Sequence, residues 1–205
     1  MNKGIVFIVG ETGSGKDTVA RQLQFNKVVS YSTRPMRNTD IEGINHHFIT
    51  EKEAKNLITR KGIIAYTDKG GATYFALENE LKPGINIYII NPDGIRWYKE
   101  FGPHNIESLV IYLHTPLKVR EERCKHRSDF NERFYKRVID ERDDYNEFRL
   151  SDEWDIMINN KNSQKTAELI NKIIIEKFGK QAVRSSILRY NRDNYVNKLP
   201  KHPTD

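Results

Sequence analysis

Between Gly10 and Thr18 the chain reads G-E-T-G-S-G-K-D-T, which puts Gly10, Gly15 and Lys16 in the spacing G-x-x-x-x-G-K. Glycines so placed let successive backbone N–H groups turn into one concavity, and a lysine at its lip adds a positive charge; the pair suits a polyphosphate. Gly10, Glu11, Thr12, Gly13, Ser14, Gly15, Lys16, Asp17 and Thr18 are therefore the candidate polyphosphate-binding residues. The residue after Lys16 is Asp17 where the motif has Ser or Thr, and a hydroxyl follows at Thr18. A carboxylate beside a polyphosphate is tolerated if it faces away, accepts from a donor, or holds Mg²⁺ directly or through water, so Asp17 and Thr18 are the candidate metal residues. A second set of charges is Arg34 and Arg37, three apart in a segment that Pro35 keeps from being a continuous helix. Two guanidinium forks on a rigid turn suit a compact dianion such as a phosphate monoester. Taken alone, they also read as solvated surface arginines.

These residues need a scaffold. Ile5 to Val9 is an apolar, β-branched run, as expected of a parallel strand buried on both faces. The glycine loop follows it, then the helix-compatible segment Thr18 to Leu23; strand, loop and helix in that order are the context of a P-loop. Downstream, Val28 and Val29 start a second short strand, and Thr50 with Glu53 forms a capping box for a helix that Gly62 ends. Ile63–Thr67 and Thr73–Leu77 flank Gly70-Gly71 as a hairpin. Ile85 to Ile90 is another buried strand, and Asn91 and Asp93 beyond its carboxyl end face the ligand of an open parallel sheet. A helix at Ile95–Phe101, a strand at Ser108–Leu113, a helix at Lys118–Lys125, a strand at Trp154–Asn160 and an amphipathic helix at Lys165–Phe178, stopped by Gly179, complete the alternation. Strands alternating with helices predict an α/β three-layer P-loop NTPase fold with a mostly parallel central sheet.

The chain has 205 residues, 37% of them apolar and 30% charged, enough for one domain with a real core. No apolar run approaches the roughly 20 residues of a membrane span, and Met1 to Gly10 is too short for a signal peptide. Cys124 is the only cysteine, which excludes an intrachain disulfide and a cysteine-rich metal site and suits the cytoplasm. The net charge is +6 and the pI about 9.2. Nucleic acid is one reading, but two phosphorylated small molecules need clustered Lys and Arg as well, and the arginines gather in short segments instead of one long stripe.

Ser30-x-Ser32-Thr33-Arg34-x-x-Arg37-x-x-Asp40-x-x-Gly43-x-x-His46-x-Phe48 resembles, without a gap, the monophosphate-binding segment of guanylate kinases, S-x-x-x-R-x-x-R-x-x-E-x-x-G-x-x-Y-x-F. With the P-loop before it, the resemblance runs from about Lys3 to Phe178. It implies that Arg34 and Arg37 grip an acceptor phosphate, that Ser30 lies near its base, and that Asp40, His46, Tyr74 and Asn91 belong to the same site. A histidine where the family has tyrosine would make acceptor binding pH-sensitive. The family's base-reading glutamate falls on Ala65, with Asp68 a substitute only if the hairpin is shifted, and its aspartate falls on Asn91, so the base preference is open. Arg120, Arg123, Arg127, Arg133 and Arg137 resemble the arginine-rich lid of nucleoside monophosphate kinases, with Arg123, Arg127 and Arg137 the candidates for catalysis beside Lys16 and Arg34; a solvated helical face is the alternative. Asp155 to Asn160 matches the family's last strand and would set Asn160 beside the donor's adenine.

The resemblance thus implies a domain over 1–179, with an inserted acceptor-binding segment at about 34–84 and a lid at about 120–140, followed by a basic tail, 180–205, whose duller account is a helix packed on the body at Gln181–Tyr190. The expected activity is transfer of the ATP γ-phosphoryl group to a nucleoside monophosphate, most simply GMP or dGMP, with Mg²⁺, in a monomer or homodimer. Ribose 1,5-bisphosphate phosphokinases also carry G-x-G-K-D-[ST], so another acceptor is a rival, and a non-catalytic guanylate-kinase-like binding module is a third reading that the intact Lys16 opposes.

Overall fold

The computed structural model describes residues 3–38, 40–59, 62–126 and 130–196. Strand β1 (Lys3–Val9) lies at the centre of a five-stranded parallel sheet with β2 (Asn26–Lys27), β7 (Gly84–Ile89), β8 (Glu107–His114) and β9 (Ile156–Asn159), in the order β2-β7-β1-β8-β9. The period of two along a strand sends alternate β1 residues to opposite faces. Ile5, Phe7 and Val9 join Ile95 and Tyr98 of α3 (Pro92–Phe101) and Tyr145 and Phe148 of α5 (Phe130–Leu150). Val6 and Ile8 join Val19 and Ala20 of α1 (Lys16–Gln22) and Ile170 and Ile174 of α6 (Ser163–Phe178). Both faces being covered, β1 reads as the continuous apolar run the sequence shows. The α/β, mostly parallel, three-layer expectation is met.

The second strand begins earlier than Val28: the ladder with β7 is made by Asn26 and Lys27, and Val28 only donates its N–H to Ile87 O at 2.9 Å. Partner register, not local β-propensity, fixed its limits. A second sheet, in the order β4-β3-β6-β5, is built from β3 (Tyr31–Ser32), β4 (His47–Phe48), β5 (Ile63–Lys69) and β6 (Ala72–Leu77). Gly70 and Gly71 both have positive φ, 62° and 75°, as the two-residue hairpin loop requires. Helix α2 (Glu51–Ile58) carries the Thr50/Glu53 capping box, but Thr59 is its C-cap, so it ends before Gly62. Ile64, Ala65 and Ala76 share one cluster with Ile95 and Tyr98, which fixes this sheet against α3 and makes it one wall of a cleft.

Beyond α4 (Leu117–Cys124), α5 is a single helix of 21 residues. The tail forms α7 (Lys180–Val196), which buries Val183 against the same cluster as α1 and α6. Strand β2 pairs only with Asn86 and Ile87, which leaves Ile85 N unpaired in the sheet. Ser186 Oγ accepts from that N–H at 3.0 Å and donates to Ala182 O at 2.8 Å. None of the described helices is long and apolar enough to cross a membrane.

Candidate functional site

The glycine loop follows β1 directly, and its outward-facing carbonyls are pinned from behind. Ser14 O accepts from Asn160 Nδ2 at 2.8 Å, Arg123 Nη1 at 3.1 Å and Thr115 Oγ1 at 3.2 Å, and Thr12 O accepts from Arg120 Nη1 at 3.2 Å. A trans peptide plane points its N–H opposite to its C=O, so these bonds turn the N–H groups of Gly13 and Gly15 toward the cleft that both residues line. Gly15 has φ +92°, and a Cβ there would stand 2.8 Å from Asn160 Nδ2, so no side chain fits.

Lys16 Nζ folds back onto Gly10 O, and onto Glu11 O at 3.1 Å. Burial pushes its pKa below the ordinary lysine value, while the carboxylates of Glu141, Asp17 and Glu11 oppose that shift. Asp17 and Thr18 lie exposed on the first turn of α1 and line the cleft, Asp17 being 3.7 Å from Lys27 Nζ. Glu11 turns its carboxylate toward Arg120 at 3.6 Å, and Ser14 is fully buried.

Across the cleft, Arg34 donates to Asp40 Oδ2 at 2.6 Å and to Pro35 O at 3.0 Å, and its guanidinium lies 4.9 Å from the centre of the Phe48 ring. Asp40 also accepts from Arg37 N at 2.8 Å. The Arg34 hydrogen bond holds the Asp40 carboxyl below its ordinary pKa, so it stays ionised and holds the Arg34 guanidinium and the Arg37 main chain. Burial, then the charges of Arg34 and Arg137, lower the pKa of Arg37. Ser30 Oγ is 2.8 Å from His46 Nδ1, and Tyr74 packs on the His46 ring at 5.6 Å. Burial first, and Arg34 next, push His46 down to about 4. The neutral imidazole is therefore the favoured form of His46 at neutral pH.

Lys16, Arg34, Arg37 and Arg137 line one cleft of about 1120 Å³. Arg137 lines the same cleft, and its charge lowers the pKa of both Lys16 and Arg37. Eight Lys and Arg side chains against four carboxylates line this cleft, so much of the chain's basic excess is spent here.

Several expected site residues stand elsewhere. Arg123 is outside the cleft lining, with Nη2 on Asn160 O at 2.7 Å and on Lys161 O at 3.2 Å; it braces the loop from behind. Asn160 is fully buried, its amide spent on Ser14 O and on Thr166 Oγ1 at 2.9 Å. Arg127 lies outside the described residues. Asp68 accepts from Tyr66 OH at 2.6 Å and Thr73 Oγ1 at 2.7 Å and is absent from the cleft lining to which Ala65, Tyr66 and Thr67 belong, so the structure does not bring it to the place of the missing glutamate. Asn91 lines the cleft, with Oδ1 accepting from Gly94 N at 3.0 Å and Thr67 Oγ1 at 3.2 Å as the cap of α3. The sequence reading missed α5: Glu141 Oε2 accepts from Thr12 N at 2.8 Å, and Tyr145 OH donates to Gly10 O at 2.9 Å. Arg137, Glu141, Tyr145 and Phe148 recur every three or four residues, a helical stripe that was readable.

The family profile described as Guanylate kinase matches residues 2–177. The guanylate kinase of Mycoplasma genitalium is 28% identical over 190 residues, covering 86% of this chain and 78% of that one. The guanylate kinase of Rickettsia prowazekii is 26% identical over 185 residues, covering 85% and 92%. A crystal structure of guanylate kinase from Anaplasma phagocytophilum superposes with a TM-score of 0.63 at 21% identity, over 88% of this chain and 90% of that one, a likeness of fold. With a P-loop and a paired-arginine turn facing one cleft, and a profile match over most of its length, the chain belongs to the guanylate kinase family.

Proposed function

We propose that this protein transfers the γ-phosphoryl group of ATP to the phosphate of a nucleoside monophosphate, GMP or dGMP, giving the diphosphate. The observation that supports this is the shared cleft, which Lys16 of the P-loop, Arg34 and Arg37 of the acceptor turn and Arg137 of α5 line together. The residues fit ATP: glycines without side chains line the loop, and Lys16 needs only to leave two carbonyls to meet a phosphate. They also fit Mg²⁺, a hard cation that takes oxygen ligands, through Asp17 and Thr18 directly or by way of water. When bound, the ion would neutralise charge on the donor's phosphates.

The chain's own residues do the rest. Arg34, whose guanidinium Asp40 holds, and Arg37, whose main chain it holds, orient the acceptor phosphate, which is already a nucleophile, so no side chain has to act as a strong base. Arg137 and Lys16 stabilise the charge spread over the transferred group. One observation favours a second acceptor: Ala65 lines the cleft where the resemblance implies a glutamate, and the Asn91 amide oxygen is already used twice. Another monophosphate or ribose 1,5-bisphosphate then replaces GMP.

A coupled assay with Mg·ATP against GMP, dGMP, AMP, CMP, UMP, dTMP and ribose 1,5-bisphosphate tests both readings. Turnover highest with GMP or dGMP supports the first, and highest with another acceptor the second. No transfer to any of them would point instead to a binding module.

A further inference from the structure

Three successive turns of α5 lean on the glycine loop. Arg137 sits near Lys16, Glu141 holds the Thr12 amide at 2.8 Å, and Tyr145, 6% exposed, holds Gly10 O at 2.9 Å. The Glu141 contact is the unusual one, because it puts a carboxylate on a backbone donor of a loop built to receive anions. Carboxylate and phosphate oxygens are equivalent acceptors for such an N–H. Of the charges that raise the Lys16 pKa, that of Glu141 is the strongest. The carboxylate thus lines the cleft beside the loop and Lys16, in the same lining as Arg137 and Arg37.

We propose that Glu141 is an internal stand-in for the donor's terminal phosphate, holding the Thr12 amide until a triphosphate displaces it, and so a residue that sets triphosphate against diphosphate affinity. This rests on the assignment of the loop as the donor site. The phosphates of a diphosphate are served by the loop glycines and Lys16, and leave the Thr12–Glu141 bond in place. A third phosphate meets a like charge that shares its amide and must move it aside. Tyr145 and Phe148, both buried, anchor the helix downstream, so the movement falls to the Glu141 side chain.

The test is isothermal titration of the full chain with Mg·ATP and with Mg·ADP, in wild type, Glu141→Gln, Glu141→Ala and the control Asp143→Asn, whose side chain is 88% exposed. Glutamine keeps an acceptor for Thr12 N and removes only the charge; alanine removes the occupant. Both Glu141 variants are expected to bind Mg·ATP at least about fivefold more tightly and Mg·ADP within about twofold of wild type, with Asp143→Asn unchanged. Equal gains for both nucleotides, no gain, or weaker Mg·ATP binding would overturn the proposal, the last by making Glu141 a holder of the donor or its metal. Thermal unfolding without nucleotide separates a folding defect, which would lower affinity for both nucleotides together. Wild type binding neither nucleotide would instead overturn the donor-site assignment itself.

Discussion

Replacing Asp40 by Asn removes one charge from beneath the acceptor arginines while keeping shape and an acceptor oxygen. In wild type that carboxylate takes Arg34 Nη1 at 2.6 Å and Arg37 N at 2.8 Å, with the Arg34 and Asp40 side chains only 11% and 8% exposed. Hydrogen bonds to a charged group contribute ~1.5–3 kcal/mol against ~0.5–1.5 for neutral ones, so the two bonds together lose about 2 kcal/mol. For a chain of this size that corresponds to a fall of about 4–8 °C in Tm. Because the folded carboxyl titrates below its ordinary value of 3.8, its contribution is complete above that value and is lost as pH falls through the lower folded pKa. The gap between wild type and Asp40→Asn in urea unfolding should therefore be full at pH 6 and shrink as the pH falls below 3.8 through the lowered folded pKa. In steady-state kinetics, a guanidinium no longer fixed in place gives up about one good hydrogen bond to the acceptor phosphate, raising the acceptor KM about tenfold and leaving the ATP KM alone. A lower acceptor KM in Asp40→Asn would refute this reasoning, since Asp40 would then compete with the phosphate for Arg34 instead of positioning it.

Lys16→Met should lower kcat by about 10²–10³-fold with every acceptor, in line with loss of a charge that stabilises the transferred group; near-normal rates in the coupled assay would disprove the donor site. His46, held near 4 in the fold against an ordinary 6.5, penalises the folded state as pH drops between those values, because the unfolded chain binds the proton first. Wild type should thus lose up to roughly 3 kcal/mol between pH 7 and pH 4 through this group, and His46→Gln should show a flatter urea-midpoint profile over that window. Ser186→Ala leaves the buried Ile85 N–H without a partner, so Tm should fall by an amount equivalent to about 1–3 kcal/mol in calorimetry, with kcat and both KM values unchanged.

Much of this arrangement was legible because the features are local. Gly10 to Lys16 announces its turn by composition, Thr50 and Glu53 announce a helix start, and Gly70-Gly71 can close a hairpin without help from elsewhere. The facing of Arg34 and Arg37 toward Lys16 was legible only through spacing that resembles a family. What stayed hidden depends on partners distant in sequence. The limits of β2 are set by β7, some 60 residues away. The arginines of α4 and α5 looked alike, yet Arg120 and Arg123 bend under the glycine loop onto its carbonyls while Arg137 enters the cleft. Nothing in the local text around Glu141 says that it meets Thr12, because that contact is made by folding a helix across 129 residues of chain.

The seating of Ser186 on Ile85 bears on how copies of this chain could meet. The outer margin of a sheet is where a second polypeptide would most readily zip on, adding its own strand to unpaired amides. Here β2 occupies the middle of that margin, and a hydroxyl from α7 seals the amide just before it. A second strand therefore finds neither Ile85 nor the β2-paired stretch of β7 open for addition.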